Sequence, residues 1–453
     1  MISNIWTDRY ALALSDEQLD LAVEVPAIPL NLGDFSTEAG AEILRSRLSQ
    51  IFTSSPQIRE ILRQLMDIGL AHASSNFFST DAYVRGLYEP NPWQPHPAPA
   101  VCLIGLAGVG KTAILQALQK LLGGPVLANV PGHAAIPLAP GWFVTLKDGA
   151  QLIELLEPFV ISVKTEGGSD LETRSKKLRI SIPSLLKLAR RRAWRDAACI
   201  LGVDEFQFIT AGDGANTKAT TVLLQLLGLG PRLVFVANFS LVHRLKRRNQ
   251  EDRDRLLPRP IIVFPEQCSS PAWTRLISAC KSVDPEVFVF DVNATQALIH
   301  RCTFGIKRLV VELLVAAFRQ SRRNGARGCV DENAILRAYS SAEYSASRED
   351  VEILRKQQIQ GEAFRPDLWC PFSDVNNTEN FFAAQHVITG FNERVAEDYL
   401  RASLTPDEKA GLKELEKGRV DEKPPGKVVR IPRQKVTAET LLEGSRIFDK
   451  LRR

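Results

Sequence analysis

Residues 105–112 read Gly-Leu-Ala-Gly-Val-Gly-Lys-Thr, and this stretch decides the fold. It fits the spacing G-x-x-x-x-G-K-[ST]. Glycines let a loop turn so that successive N–H groups point inward at phosphate oxygens. A helix that starts at the lysine adds its N-terminal dipole to the same anion. The candidate phosphate cradle is therefore Gly105, Ala107, Gly108, Val109, Gly110, Lys111, Thr112 and Ala113. Lys111 is placed to reach the β- and γ-phosphates of a nucleotide, and Thr112 offers a hydroxyl to Mg²⁺. The flanks agree: the apolar run Ala100–Ile104 predicts a strand before the loop, and Thr112–Leu122 predicts a helix after it. ATP and Mg²⁺ are the cofactors this unit implies.

The second half of such a site is a strand that ends in a carboxylate. Cys199-Ile-Leu-Gly-Val-Asp-Glu205 supplies one, 93 residues after Lys111 at Asp204. Asp204 would hold Mg²⁺ directly or through water. Glu205 would orient or deprotonate the attacking water. The next apolar run, Val234–Ala237, ends at Asn238, a polar residue positioned to act as a sensor that helps place the water. Residues 244–259 then hold seven basic residues among sixteen. One reading is a solvated helix face. The sharper one is an arginine supplied in trans to a neighbouring subunit's γ-phosphate, with Arg255 and Arg253 as candidates and Arg259 in reserve. Arg308, in the run Gly305-Ile-Lys-Arg308, is a candidate to reach the nucleotide from a helical lid.

Outward from these motifs, short apolar runs at Phe159–Val163, Ala198–Val203, Leu233–Ala237 and Ile261–Phe264 predict buried strands. Helical stretches separate them, notably Ile182–Trp194 and Thr220–Leu227. That alternation predicts an α/β fold, a parallel sheet covered by helices on both faces. After Pro271 the pattern turns all-helical, with an apolar stripe from Ile306 to Phe318. Upstream, residues 37–71 have helical spacing. Residues 89–99 hold five prolines and predict a boundary. The expected division is a mostly helical segment over 1–95, a nucleotide-binding core over 96–270, a helical lid over 271–345, a helical extension over 346–402 and a basic, flexible tail over 403–453.

Composition bounds the rest. The chain has 453 residues, 45% hydrophobic and 24% charged, with a net charge of +5. That excludes a wholly disordered or collagen-like chain. Seven cysteines without a C-x-x-C pair point away from a disulfide framework or a zinc site. The N-terminus lacks the pattern of a signal peptide, and no apolar run reaches membrane-helix length. The expectation is a soluble, cytoplasmic protein with no membrane partner.

The order GLAGVGKT, ILGVDEFQ, VFVAN, an Arg-rich stretch and a helical lid with GIKR resembles an AAA+ ATPase. More narrowly, Val203-Asp-Glu-Phe-Gln207 and the lid run from Thr303 to Ser341 resemble the TnsC/TniB transposition regulators, over roughly residues 100–350. The resemblance implies an AAA+ P-loop three-layer αβα core with a helical lid. It also implies an ATPase that assembles as a ring or filament on duplex DNA, without reading its sequence, and links a target-selection protein to the transposase. The sequence departs from the pattern in an extra segment near 127–155 and in the lack of a distinct motif around the finger arginine.

DNA binding has its own trace in two basic clusters, Lys187-Leu-Ala-Arg-Arg-Arg192 with Arg195, and Lys246–Arg248, which suit backbone phosphates rather than bases. Residues 423–435 add five basic residues and three prolines, a stretch suited to docking in extended form. Two further readings stand beside the first: an AAA+ switch of another system, defence or initiator-type, acting on protein partners; and a module that holds nucleotide with little turnover. The intact Asp204–Glu205 pair argues against the last.

Overall fold

The apolar run before the glycine loop is a wholly buried strand, β1 (Val101–Gly105), lying between two parallel neighbours. The computed structural model describes residues 4–11, 14–93, 98–130, 132–146, 152–160, 181–206, 215–323 and 328–372. Among them, a five-stranded sheet has the order β4 (Gly141–Thr145), β5 (Ile200–Asp204), β6 (Arg232–Ala237), β1, β7 (Arg259–Val263). Every pairing is parallel. Parallel strands require crossover connections. These run through α5 (Lys111–Leu122), α6 (Leu152–Val160), α7 (Ile182–Arg195), α8 (Ala215–Leu227), α9 (Phe239–Leu245) and α10 (Gln250–Leu256). Because helices cover both faces, the strands are continuous apolar runs rather than alternating ones. A separate antiparallel pair joins β2 (Val126–Ala128) to β3 (Ile136–Leu138).

Four helices precede the sheet: α1 (Asp16–Val23), α2 (Thr37–Gln50), α3 (Pro56–Asn76) and α4 (Thr80–Tyr88). The α3 stripe Ile58, Ile61, Leu62 and Leu65 is buried in the same apolar cluster as β1, β5 and β6, as helix spacing demands. The lid comprises α11 (Pro271–Lys281), α12 (Val292–Thr303), α13 (Lys307–Arg323) and α14 (Glu332–Ser340). Its own cluster centres on Trp273, Leu313, Leu314 and Phe318, and takes Ala41, Leu44 and Leu48 from α2. The α2 backbone comes close at Gly40, where a Cβ would lie 3.1 Å from the Phe318 ring. After the lid, α15 (Ser345–Gln360) returns Val351 and Leu354 to the sheet cluster. This is the expected α/β fold: an αβα core with a parallel sheet, followed by a helical lid.

Two local expectations differ. Phe159 and Val160, expected in a strand, end helix α6, while 161–163 lie outside the described residues. A short apolar run does not by itself distinguish strand from helix. The edge strand is instead β4, drawn from the 127–155 segment. Trp142 of β4 stacks on Phe159 with centroids 4.6 Å apart. Gly202 leaves room for the Phe143 ring, which a Cβ there would meet at 2.6 Å. Second, the helical stretch over 37–71 is two helices, split at Ile51–Ser55. There Phe52 bridges Val25 and the Ser54 N–H donates to Glu24 Oε1 at 2.8 Å. The tail expected over 403–453 lies outside the described residues.

Candidate functional site

The glycine loop turns through two left-handed residues, Gly108 (φ 83°) and Gly110 (φ 106°), a conformation that only glycine adopts at little steric cost. The turn delivers the chain into α5, whose first residue is Lys111. That residue is 7% exposed. Its Nζ donates to the loop's own carbonyls, Gly105 O at 2.9 Å and Leu106 O at 2.7 Å. Burial pushes the Lys111 ammonium down to about 8, against the pull of the Asp204 and Glu205 carboxylates, which favour its charged form.

Those carboxylates stand where β5 ends. Asp204 is buried, its Oδ1 accepts the Glu205 N–H at 2.8 Å, and its Oδ2 is buried without a hydrogen-bond partner. A buried carboxylate oxygen left unsatisfied is costly. It suits a hard, oxygen-seeking cation such as Mg²⁺, and the exposed Thr112 in the first turn of α5 adds a hydroxyl of the same kind. Glu205 adopts φ 56°, a left-handed conformation that costs a non-glycine residue on the order of 1–3 kcal/mol and clusters at functional positions. Burial and then the neighbouring Asp204 charge raise the Glu205 pKa, while Lys111 and Arg308 oppose them.

Arg308 comes from the other side. Its N–H donates to Gly108 O at 3.1 Å, and a Cβ on Gly108 would lie 2.6 Å from Arg308 Cβ. The lid helix thus begins on the glycine loop itself. Gly108→Ala is expected to impose both the left-handed penalty, roughly 1–2 kcal/mol, and this clash. A fall in thermal midpoint together with weakened ATP binding is the result that checks it; an unchanged midpoint would deny the close contact.

Asn238 follows β6, which lies between β1 and β5, and so stands at the strand tips that carry the loop and the acidic pair. It is the N-cap of α9, and its side chain makes no capping bond.

The arginine candidates are elsewhere. Arg255 O accepts the Ala100 N–H at 2.9 Å, so Arg255 lies at the N-terminal end of β1, about 16 Å of strand away from the glycine loop. Its side chain is 55% exposed and pairs with Glu251 at 2.7 Å. Arg253 is exposed on the same short helix. Arg259 pairs in register with Val101 at that same end. None of the three is brought to the chain's own glycine loop.

One contribution carried no sequence signal. Lys307 Nζ donates to Thr53 O at 3.3 Å and lies over the Phe52 ring. Its Cδ is 3.7 Å from the position a Cβ on Gly110 would take. The buried strap Phe52-Thr-Ser-Ser55 therefore adjoins the junction of loop and lid, and the Ser54 hydroxyl is buried without a partner. Nothing in four ordinary residues some fifty positions before the loop announces this.

The basic clusters are partly engaged within the chain. Arg190 Nε donates to Gly228 O at 2.6 Å, and Arg192 pairs with Asp196 at 3.0 Å. Lys246 Nζ donates to Pro371 O, and Arg248 pairs with Asp252. Lys187, Arg191, Arg195 and Arg247 are exposed.

No family model matches the sequence, and no curated protein does. Solved structures do. The Orc1 protein of Aeropyrum pernix, solved in complex with DNA, is 17% identical with a TM-score of 0.36, over 63% of this chain and 66% of that one. The chain thus spans just under two thirds of that protein's length. A Walker-type ATPase of Pyrococcus abyssi is 15% identical with a TM-score of 0.37, over 62% and 77% of the two chains. Cdc6p from Pyrobaculum aerophilum is 15% identical with a TM-score of 0.35, over 63% and 72%. Identities and TM-scores this low say nothing of what this chain binds, which has to be read from its own residues. Among the described residues, no helix is long and apolar enough to cross a membrane.

Proposed function

We propose that this protein is an AAA+ ATPase that regulates DNA transposition. In this reading it assembles on duplex DNA in an ATP-dependent way and links a target-selection protein to the transposase. The observation that carries the ATPase reading is the meeting of Lys111, Asp204, Glu205 and Arg308 about one glycine loop, with a buried Asp204 oxygen lacking a partner. The transposition reading rests on the likeness of Val203–Gln207 and of the lid to the TnsC/TniB regulators. An AAA+ switch of a defence or initiator-type system keeps the same site chemistry with other partners.

In the proposed mechanism the loop N–H groups of residues 107–113 bind the phosphates. Lys111 exchanges its two carbonyl partners for the β- and γ-phosphate oxygens. Thr112 and Asp204 would hold Mg²⁺, which would supply neutralising charge to the phosphates. Glu205 orients the attacking water and takes its proton, and Asn238 fixes the water's position. Water oxygen bonds to the γ-phosphorus as the bond to the β–γ bridging oxygen breaks, releasing ADP and phosphate. Arg308 reaches the nucleotide from the lid and ties its position to the loop.

Arg255 or Arg253 completes a neighbour's site. Their distance from their own loop supports a role in trans. Hydrolysis per subunit should therefore rise with protein concentration and with duplex DNA, and the DNA effect should fall steeply with salt. Arg255→Ala should remove that rise, by about 10³-fold if it is the finger, while ATP binding stays near normal. Arg253→Ala distinguishes the two. Specific activity that stays flat on dilution and on DNA addition would overturn both the trans arginine and the DNA-assembled reading. Electron microscopy with an ATP analogue and duplex DNA tests the assembly directly.

A further inference from the structure

A second concave site lies at the N-terminal end of the strands, away from the glycine loop. Its volume is about 570 Å³, within the range of roughly 300–1,000 Å³ typical of ligand pockets. It opens between α3 and the N-terminal ends of β6 and β7, and Arg190, Arg232, Arg259, His72, Trp93 and Asp67 are among its lining residues. Strand register separates it from the nucleotide site: Arg259 pairs with Val101 and Val263 with Gly105, four residues or about 13 Å of strand.

The charge in this cavity is unbalanced. Three arginines and one acidic residue, the exposed Asp67, line it. Arg232 Nε is buried and has no hydrogen-bond partner. Burial, and then the neighbouring Arg259 charge, hold the Arg232 guanidinium below its ordinary range. Two like charges are thus held close together, and an anion seated in the cavity would offset their repulsion. The remaining groups do not supply that anion. Burial and the Arg232 charge push His72 down to about 4, so it is neutral at pH 7. Asn76 Nδ2 lies 3.4 Å from its Nε2, and its ring is 5.5 Å from that of Trp93. Arg190 is anchored by its Nε on Gly228 O, and its own carbonyl accepts Trp93 Nε1–H at 2.9 Å.

We propose that this cavity is a second anion site that binds a phosphate group through Arg232, Arg259 and Arg190. Guanidinium forks match phosphate oxygens in paired hydrogen bonds. A phosphate monoester carries about −1.5 to −2 charge at pH 7, which matches the cavity's excess better than a single carboxylate does. A free phosphorylated small molecule and the backbone of a nucleic acid present this same chemistry. The site does not depend on the nucleotide reading of the glycine loop.

The test uses full-length protein saturated with ADP, so that the glycine loop is filled. Inorganic phosphate is added at pH 7, and the His72 imidazole resonance, identified with His72→Gln, is followed by NMR. A saturable shift is expected, with binding at least about tenfold weaker in Arg232→Gln and in Arg259→Gln. Arg259 is exposed, so its substitution leaves the core intact even if the Arg232 variant folds poorly. A short DNA duplex forms the second arm. If it moves the same resonance and phosphate competes with it, the backbone is the source; if only phosphate acts, the ligand is a small molecule. Absence of a saturable shift up to roughly 10 mM phosphate, which fills any site tighter than millimolar, overturns the proposal. So does a shift that both arginine variants retain at full strength.

Discussion

Glu205→Gln is expected to bind ATP as tightly as the unsubstituted chain and to hydrolyse it at least about 100-fold more slowly, the usual worth of a positioned general base. The amide keeps the shape of the side chain at a backbone already in the left-handed region. It removes a carboxylate whose pKa is raised by burial and then by the adjacent Asp204 charge, so the fold should not suffer. What is lost is the charge that takes the water's proton. With hydrolysis blocked, the ATP-bound assembly should persist on DNA. Single-turnover hydrolysis, measured beside nucleotide binding, decides the matter. Hydrolysis at the unsubstituted rate would remove Glu205 as the base, and a parallel loss of ATP binding would mean that it holds nucleotide instead.

Lys111→Ala should act on the other half of the cycle. The Lys111 ammonium is held by two backbone carbonyls, and in the proposed complex it exchanges them for phosphate oxygens. Charge-assisted bonds of this kind are worth about 1.5–3 kcal/mol each, so ATP affinity should fall by about 100-fold. The nucleotide-free protein should change far less. Alanine leaves two carbonyls without this donor, but it also relieves the burial cost that pushes the ammonium down to about 8. The measurement is the rise in thermal midpoint with ATP. A ligand at 100 times its Kd stabilises by about 2.7 kcal/mol, and the variant at the same concentration, then near its own Kd, should show only about 0.4 kcal/mol. A full ATP-induced rise would sink the assignment of the loop.

Much of this site was legible because its residues are local in sequence. The glycines, lysine and threonine of 105–112 stand on one turn, so spacing alone states their geometry. The acidic pair and Asn238 were legible because each ends an apolar run, and strands of a parallel sheet end together at one edge. Helix α6 was misread because an apolar run of five has no period to reveal, and Pro158 within it suggests no helix. The strap at Phe52–Ser55 and the arginine-lined cavity were not legible at all. The first owes its place to the packing of α3 against the sheet, the second to three arginines separated by up to sixty-nine positions and gathered at the N-terminal end of the strands.

By itself the sequence determined the α/β class, the glycine loop, the carboxylate-ended strand and the helical lid, because each is written in local periodicity and short-range spacing. The tertiary structure alone decided that Arg308 begins its helix on Gly108, that one Asp204 oxygen is left without a partner, and that Arg253, Arg255 and Arg259 lie at the end of the sheet away from the loop. These are facts of strand order, register and burial. They arise from contacts between residues distant in the chain, and no local pattern of side chains encodes them.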